Sequence, residues 1–253
     1  MINKWVSILG ASILILGITA CSDSKDNEDV PKEENVQQET TTNEPDEEMP
    51  SDTEEDTDID NEDPSITVLV NKQYSLDENY APEDLVTVDV PTVLENPEVN
   101  QLRQEAADAL KLMFDNAEES DIYLHGRSGY RSYQTQVQLF QNYSAKHGEE
   151  AANRYSAKPG QSEHQTGLVM DVTSESVEYQ LTESFGETEE GKWLSEHAHE
   201  FGFIIRYPKD AEDVTGYIYE PWHIRFLGVD MATKVYESGL TYEEYLNEEG
   251  DHS

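Results

Sequence analysis

The spacing of apolar residues predicts two helices in the middle of the chain. After Pro97 the apolar positions follow the three- and four-residue spacing of one helix face. They are Val99, Leu102, Ala106, Leu110 and Met113. A proline at the start of such a pattern fits the first turn of a helix. A second helix is predicted to begin at Ser132 and to end near His147, before Gly148.

Short apolar and β-branched runs predict strands on either side of these helices. The runs cover residues 66–70, 122–124, 168–172, 203–207, 217–219 and 224–226. Further helices are predicted at 193–201, 230–237 and 242–247, and prolines mark the stretch 79–93 as a loop. Helices and strands do not alternate strictly, so we predict a single α+β domain. Its central sheet should be mostly antiparallel and flanked by helices.

The N-terminal 20 residues have the pattern of an export signal. Lys4 precedes an apolar run at 5–18, which is too short to predict a membrane span. The run ends in small residues before Cys21, and this junction resembles the lipobox of bacterial lipoproteins. The resemblance implies that Cys21 is lipid-modified, becomes the mature N-terminus and anchors the protein outside the cytoplasmic membrane. An ordinary signal peptide with an incidental cysteine is the alternative. A lone cysteine excludes an internal disulfide and argues against a thiolate metal cluster.

Charge divides the rest of the chain into two parts. Residues 22–64 carry 19 acidic residues against Lys25 and Lys32, which predicts that 21–64 is a disordered acidic linker after the lipidated cysteine. Residues 65–253 have the length of one domain and carry 36 acidic against 13 basic residues. This excess argues against binding to nucleic acid or to an anionic membrane surface. We expect a monomer that meets the membrane only through its lipid anchor.

Three polar stretches could supply a catalytic centre. They are residues 128–131 (SGYR), 162–171 (SEHQTGLVMD) and 220–223 (EPWH). In the second stretch His164 and Asp171 flank a glycine and an apolar strand, so the two side chains could converge. In the third stretch His223 ends another predicted strand. Two histidines and one carboxylate are a common ligand set for catalytic zinc, with a fourth position left for water.

Two further residues complete a hydrolytic arrangement. Glu220 cannot easily share the ion with His223 in an extended segment, but it can reach the bound water as a general base. The guanidinium of Arg131 can stabilise the oxyanion that forms when water attacks an amide carbonyl. Gln165 is a candidate for lining the pocket. We read Trp222 as a packing residue that supports the strand of His223.

These stretches resemble the VanY-type D-alanyl-D-alanine carboxypeptidases, zinc peptidases that share the fold of the hedgehog signalling domain. The resemblance covers about residues 71–228. It implies that His164, Asp171 and His223 bind one zinc ion per domain. By the same resemblance Glu220 is the catalytic base, Arg131 binds the carbonyl and Ser162 contacts the substrate terminus. One departure is Val169, where the family often has alanine.

The resemblance implies a zinc carboxypeptidase that releases D-alanine from the D-Ala-D-Ala end of peptidoglycan stem peptides. An L,D-carboxypeptidase acting on the stem tetrapeptide is the nearest alternative, because such enzymes carry much the same motifs. A dipeptidase is disfavoured by the export signal. A non-catalytic peptidoglycan-binding lipoprotein is disfavoured because the ligands, the base and the arginine are all present. A serine hydrolase is disfavoured because the sequence has no G-x-S-x-G motif.

Overall fold

Six strands form two antiparallel sheets in residues 66–250, the part of the chain that the computed structural model describes. The strands are β1 (Leu85–Thr87), β2 (Gln101–Arg103), β3 (His125–Ser128), β4 (Val169–Thr173), β5 (Phe203–Tyr207) and β6 (Glu220–Phe226). Strands β1 and β2 form a small sheet, and the central sheet has the order β3-β4-β6-β5. All of these pairs are antiparallel, which confirms the predicted sheet type.

Seven α-helices accompany the sheets in the described region. They are α1 (Gln104–Glu119), α2 (Tyr133–His147), α3 (Glu149–Ala152), α4 (Glu189–His197), α5 (Glu212–Thr215), α6 (Val229–Ser238) and α7 (Tyr242–Gly250). The second predicted helix is confirmed as α2, whose N-cap hydroxyl, on Ser132, accepts a hydrogen bond from the amide of Thr135. The first predicted helix begins later than expected, at Gln104, because strand β2 occupies the residues before it.

The central sheet has one apolar face and one polar face. Side chains alternate along a strand, so residues two apart share a face. Met170 on β4 lies opposite Ile224 on β6, and both are fully buried in a core that also contains α1. The neighbouring pair on the other face is Asp171 and His223. The apolar face therefore holds the sheet against its helices, and the opposite face is left for polar chemistry.

The predicted strand at 66–70 is wrong, because this segment pairs with side chains instead of a neighbouring strand. The carbonyls of Ile66 and Val68 accept hydrogen bonds from the guanidinium of Arg225. The carbonyl of Thr67 accepts one from the hydroxyl of Tyr242. A β-branched run can satisfy its backbone in this way without entering a sheet.

Other differences are local. The predicted strand at 217–219 is absent from the described region, and β6 begins at Glu220 and runs through the predicted strand at 224–226. Of the described helices, none has both the length and the apolar character needed to cross a membrane. The predicted signal peptide at 1–20, Cys21 and all of the acidic segment at 21–64 lie outside the described residues, as does Ser65.

Candidate metal centre

Strand pairing brings the first two candidate ligands together. Asp171 on β4 and His223 on β6 are direct cross-strand partners, so their side chains rise from the same face of the sheet. The Nδ1 atom of His223 lies 3.3 Å from Oδ1 of Asp171. Both residues are about 96% buried, although they are polar. Such burial is costly unless the charges are paired or bind a metal.

A tight turn adds the third candidate ligand. His164 lies in a 3₁₀ turn, Glu163–Thr166, that ends at Gly167 with a φ of +68°. Only glycine adopts this backbone conformation without cost. A Cβ atom on Gly167 would also lie 2.8 Å from a methyl group of Leu85. The glycine between the two ligands of this stretch therefore has a steric explanation.

Hydrogen bonding fixes which nitrogen of His164 points into the site. Its Nδ1 lies 2.8 Å from the carbonyl oxygen of Gly129, to which it can donate, and the amide of Arg131 donates back to the carbonyl of His164. The free Nε2 then lies 3.5 Å from Oδ2 of Asp171. His164 thus offers Nε2 whereas His223 offers Nδ1, and both nitrogens flank one carboxylate.

These three side chains fit a divalent cation. One ligand atom from each of His164, Asp171 and His223 lies within 4.8 Å of the others. The Oδ1 atom of Asp171 is buried and has no hydrogen-bond partner among the described residues. Two imidazoles and a carboxylate are the donor set of catalytic zinc sites that keep an open position.

The electrostatics of the metal-free site separate the two histidines. Burial, together with the nearby charge of Arg131, lowers the pKa of His164 to about 3. Burial alone would also lower the pKa of His223, but the carboxylates of Asp171 and Glu163 outweigh it and raise this pKa to about 9. In the metal-free protein His223 is therefore protonated at neutral pH, and its positive charge offsets the carboxylates of Asp171 and Glu163.

Glu220 lies beside the ligands at the start of β6. Its Oε2 is 3.6 Å from Nδ1 of His223, and the β5–β6 pairing is irregular between Ile205 and Tyr207, near this end of the strand. Burial raises the pKa of Glu220 to about 8. A carboxyl group with a pKa near neutrality can both accept and return a proton at that pH.

Arg131 is held by its own neighbours at the edge of the site. Its Nη1 donates to Oε1 of Gln136 at 2.8 Å, and its Nη2 donates to the hydroxyl of Ser128 at 3.2 Å. Gln136 is fully buried and in turn donates to the carbonyl of Ala157. Sequence reasoning missed Gln136. The sequence does place Gln136 five residues after Arg131, in the first turn of a predicted helix, and this proximity could have indicated the contact.

The ligands, Glu220 and Arg131 line one cavity of about 320 Å³. Ser162 also lines it and is 96% buried. Trp222 is buried in the apolar core and reaches the cavity wall, as expected of a packing residue.

Gln165 has a different place from the one expected. It is fully buried, and its amide donates to the backbone carbonyls of Asp77 and Tyr80. The residues that line the cavity do not include Gln165. Its position in the 3₁₀ turn directs the side chain to the N-terminal loop. The expectation that Gln165 lines the pocket is therefore corrected, and it ties this loop to the turn that carries His164.

Comparison with known proteins identifies a family and several relatives. The family model of VanY, D-alanyl-D-alanine carboxypeptidase, matches residues 99–229. YodJ of Bacillus subtilis (strain 168) is 49% identical over 183 residues, which are 72% of this chain and 67% of YodJ.

Two solved structures share the fold. The LD-carboxypeptidase LdcB has a TM-score of 0.70 and 49% identity, over 72% of this chain and 86% of LdcB. A mutant of the vancomycin resistance D,D-pentapeptidase VanY, in complex with Zn(II), has a TM-score of 0.58 and 33% identity, over 71% of this chain and 98% of VanY. The resemblance drawn from the sequence motifs is confirmed. The chain belongs to the VanY family of D-alanyl-D-alanine carboxypeptidases.

Proposed function

We propose that the protein is a zinc carboxypeptidase that removes the C-terminal D-alanine from peptidoglycan stem peptides by hydrolysing the D-Ala-D-Ala bond. The observation that carries the proposal is the convergence of His164, Asp171, His223 and Glu220 on one cavity, in a chain of this family. The family relative solved with Zn(II) supports the choice of metal.

The chain's own residues supply the remaining steps of hydrolysis. His164, Asp171 and His223 would hold a zinc ion, which would supply a Lewis acid and bring the pKa of water at the site to about 7. Glu220 takes a proton from the attacking water and passes it to the leaving amine. Arg131, fixed by Gln136, stabilises the negative charge that develops on the carbonyl oxygen. Ser162, which lines the cavity, contacts the substrate terminus in this proposal.

Cleavage of the stem tetrapeptide is the second candidate. The specific observation in its favour is the 49% identity with LdcB, an LD-carboxypeptidase, against 33% with the D,D-pentapeptidase VanY. Both reactions release a C-terminal D-alanine, so the same metal centre serves either one. The bond that is cut depends on how the cavity wall accepts the residue before the terminal alanine.

Defined peptides distinguish these reactions. The zinc-loaded protein is incubated with a stem pentapeptide, a stem tetrapeptide and a pentapeptide amidated at its C-terminus, and the products are identified by mass spectrometry. Loss of one alanine from the pentapeptide supports D,D cleavage, and loss from the tetrapeptide alone supports L,D cleavage. The amidated peptide should resist in both cases. A zinc-loaded protein that cuts neither free peptide contradicts the proposal, and a His223→Ala variant controls for contaminating peptidases.

We further propose that Cys21 anchors the protein outside the cytoplasmic membrane, on the support of the small-residue junction before it. A diacylglyceryl group offers two acyl chains, which is enough for stable anchoring. A Cys21→Ala variant should leave the membrane fraction or accumulate as an uncleaved precursor. A cleaved variant that stays with the membranes would contradict the anchor.

A further inference from the structure

Glu163 lies beneath the candidate metal centre, and its two carboxylate oxygens have different surroundings. Oε1 accepts hydrogen bonds from Nε of Arg206 at 2.9 Å and from Nη1 of Arg225 at 2.7 Å. Oε2 is buried and has no hydrogen-bond partner among the described residues. A buried carboxylate oxygen without a donor is costly. The second oxygen therefore calls for an explanation that the two arginines do not give.

The Nε2 atom of His223 provides that explanation. Oε2 of Glu163 is 3.6 Å from Nε2 of His223, and Nε2 likewise has no hydrogen-bond partner among the described residues. The opposite nitrogen, Nδ1, faces Asp171. A shift of a few tenths of an ångström would close the hydrogen bond from Nε2–H to Oε2. A single hydrogen bond between Nε2–H and Oε2 would therefore satisfy both buried atoms.

We propose that Glu163 is a positioning residue for the metal site, which accepts the Nε2–H of His223 and keeps its Nδ1 lone pair toward the ion. The inference rests on the metal site of the proposed function. Metal-bound histidines commonly donate their second N–H to a carboxylate, which fixes the ring and raises the basicity of the ligand atom. In His164 the carbonyl of Gly129 has the equivalent role, because it can accept a hydrogen bond from Nδ1–H.

The carboxylate can do this because it is itself held rigidly. Arg206 is fully buried and donates from both terminal nitrogens to Glu243, at 2.8 and 2.6 Å. Arg225 is also fully buried and donates to the carbonyls of Ile66 and Val68. With Oε1 fixed by these two arginines, Oε2 points in one direction, toward His223.

A merely structural role for Glu163 is the competing explanation, since it also neutralises two buried arginines. Three variants of the full chain separate the roles. Glu163→Asp keeps the charge but withdraws the carboxylate by about 1.5 Å, the length of one C–C bond. Glu163→Gln keeps the reach but loses the charge. Glu243→Gln is the matched control, because it removes a carboxylate from the same Arg206 without contact to His223.

The readouts are the zinc dissociation constant from chelator competition, the melting temperature of the metal-free protein and the visible spectrum of the Co²⁺-loaded protein. We expect both Glu163 variants to bind zinc 10- to 100-fold more weakly and to change the cobalt spectrum. Glu243→Gln should lower the melting temperature but keep zinc affinity within about threefold and leave the cobalt spectrum unchanged.

The outcomes are decisive in each case. Wild-type zinc affinity in a folded Glu163 variant overturns the inference, as does an equal loss of affinity in Glu243→Gln. If Glu163→Gln does not fold, Glu163→Asp carries the test. If neither folds while Glu243→Gln does, the residue is structural and the inference is overturned. A wild-type protein that binds no zinc would instead defeat the proposed function, so the two failures can be told apart.

Discussion

At the scale of single residues, neighbouring side chains of the site have separate proposed roles, which are metal binding and proton transfer. Glu220 lies 3.6 Å from a ligand nitrogen, yet it belongs to neither histidine's hydrogen-bonded support. Its neighbours Asp171 and His223 pair across the strands and hold their place through the sheet. In the proposed mechanism, one carboxylate, that of Asp171, binds the ion, and another, that of Glu220, transfers protons.

Glu220→Gln should separate these roles in the enzyme. The amide keeps the size of the side chain but cannot accept the proton, so turnover should fall about a hundredfold or more. Zinc content, measured by elemental analysis, should remain at the wild-type value. A variant that lost its zinc would make Glu220 a ligand and contradict its assignment as the base.

Zinc affinity should depend on pH through His223. The pKa of this residue in the metal-free protein is raised to about 9, so the imidazole is protonated at neutral pH. Because zinc requires the neutral ligand, binding should release about one proton at pH 7. The apparent affinity should rise about tenfold per pH unit up to roughly pH 9 and then level off. Calorimetry in buffers of different ionisation enthalpy would measure the proton release, and a flat affinity profile between pH 6 and 8 would contradict this view.

The sequence predicts the residues of this site unevenly. His164, Asp171, His223, Glu220 and Arg131 fall in short stretches whose residue types suggest their chemistry. Glu163 lies inside one of these stretches but acts through residues on β5 and β6, so local spacing gives no signal for it. For Gln165 the prediction was wrong in the opposite sense. Its sequence neighbours suggested that it lines the cavity, but the 3₁₀ turn directs its side chain to the carbonyl of Asp77.

At the level of elements, the turn that carries His164 depends on the conformation of one glycine. Gly167 and Gly239 have almost the same backbone, with φ values of +68° and +69° at the ends of a 3₁₀ turn and of α6. A Cβ atom would meet Leu85 at Gly167 but nothing within 4 Å at Gly239. The two positions therefore share a conformational cost and differ in their surroundings.

Gly167→Ala and Gly239→Ala test this difference. Each variant should lose about 1–2 kcal/mol of unfolding free energy from the left-handed backbone alone. Gly167→Ala should lose more, because Leu85 must move, and it should also bind zinc more weakly as the turn of His164 shifts. Chemical denaturation and chelator competition give the two quantities. Equal effects of both variants on zinc would show that the turn does not set the ligand position.

Elements with a clear period were predictable, and those fixed by distant partners were not. Strand β5 has the predicted bounds, and α2 follows its capping serine. Strands β1 and β2 have only three residues each and form by pairing with each other, so neither carries a readable period. The segment at 66–70 looks like a strand in sequence because its residue types are right, but its hydrogen-bond partners are side chains.

Across the whole molecule, negative charge dominates. The chain has 55 acidic and 16 basic residues, and two of the arginines, Arg206 and Arg225, are fully buried in internal ion pairs. These two buried arginines do not neutralise the negative charge of the protein surface. Mutual repulsion among the surface carboxylates should therefore oppose the compact state.

Salt should accordingly stabilise the protein. Raising NaCl from about 0.05 to 0.5 M shortens the Debye length from roughly 14 to 4 Å and screens this repulsion. The melting temperature of the metal-free protein should rise over this range, whereas the same molarity of a neutral sugar should have a smaller effect. A melting temperature that falls with salt would mean that surface ion pairs such as Arg154 with Glu212 outweigh the repulsion.

The attachment of the segment at 66–70 has a mechanical consequence. Its carbonyls are gripped by Arg225, which lies two residues after His223 on the same strand. Tension applied to the chain before residue 66 would be borne first by this guanidinium and by the hydroxyl of Tyr242. We expect a protein pulled from its N-terminal side to release zinc at lower force than one pulled from residues in α2, which optical tweezers with a metal-sensitive dye can measure. The way the chain enters the described fold would thus make the proposed metal centre sensitive to tension.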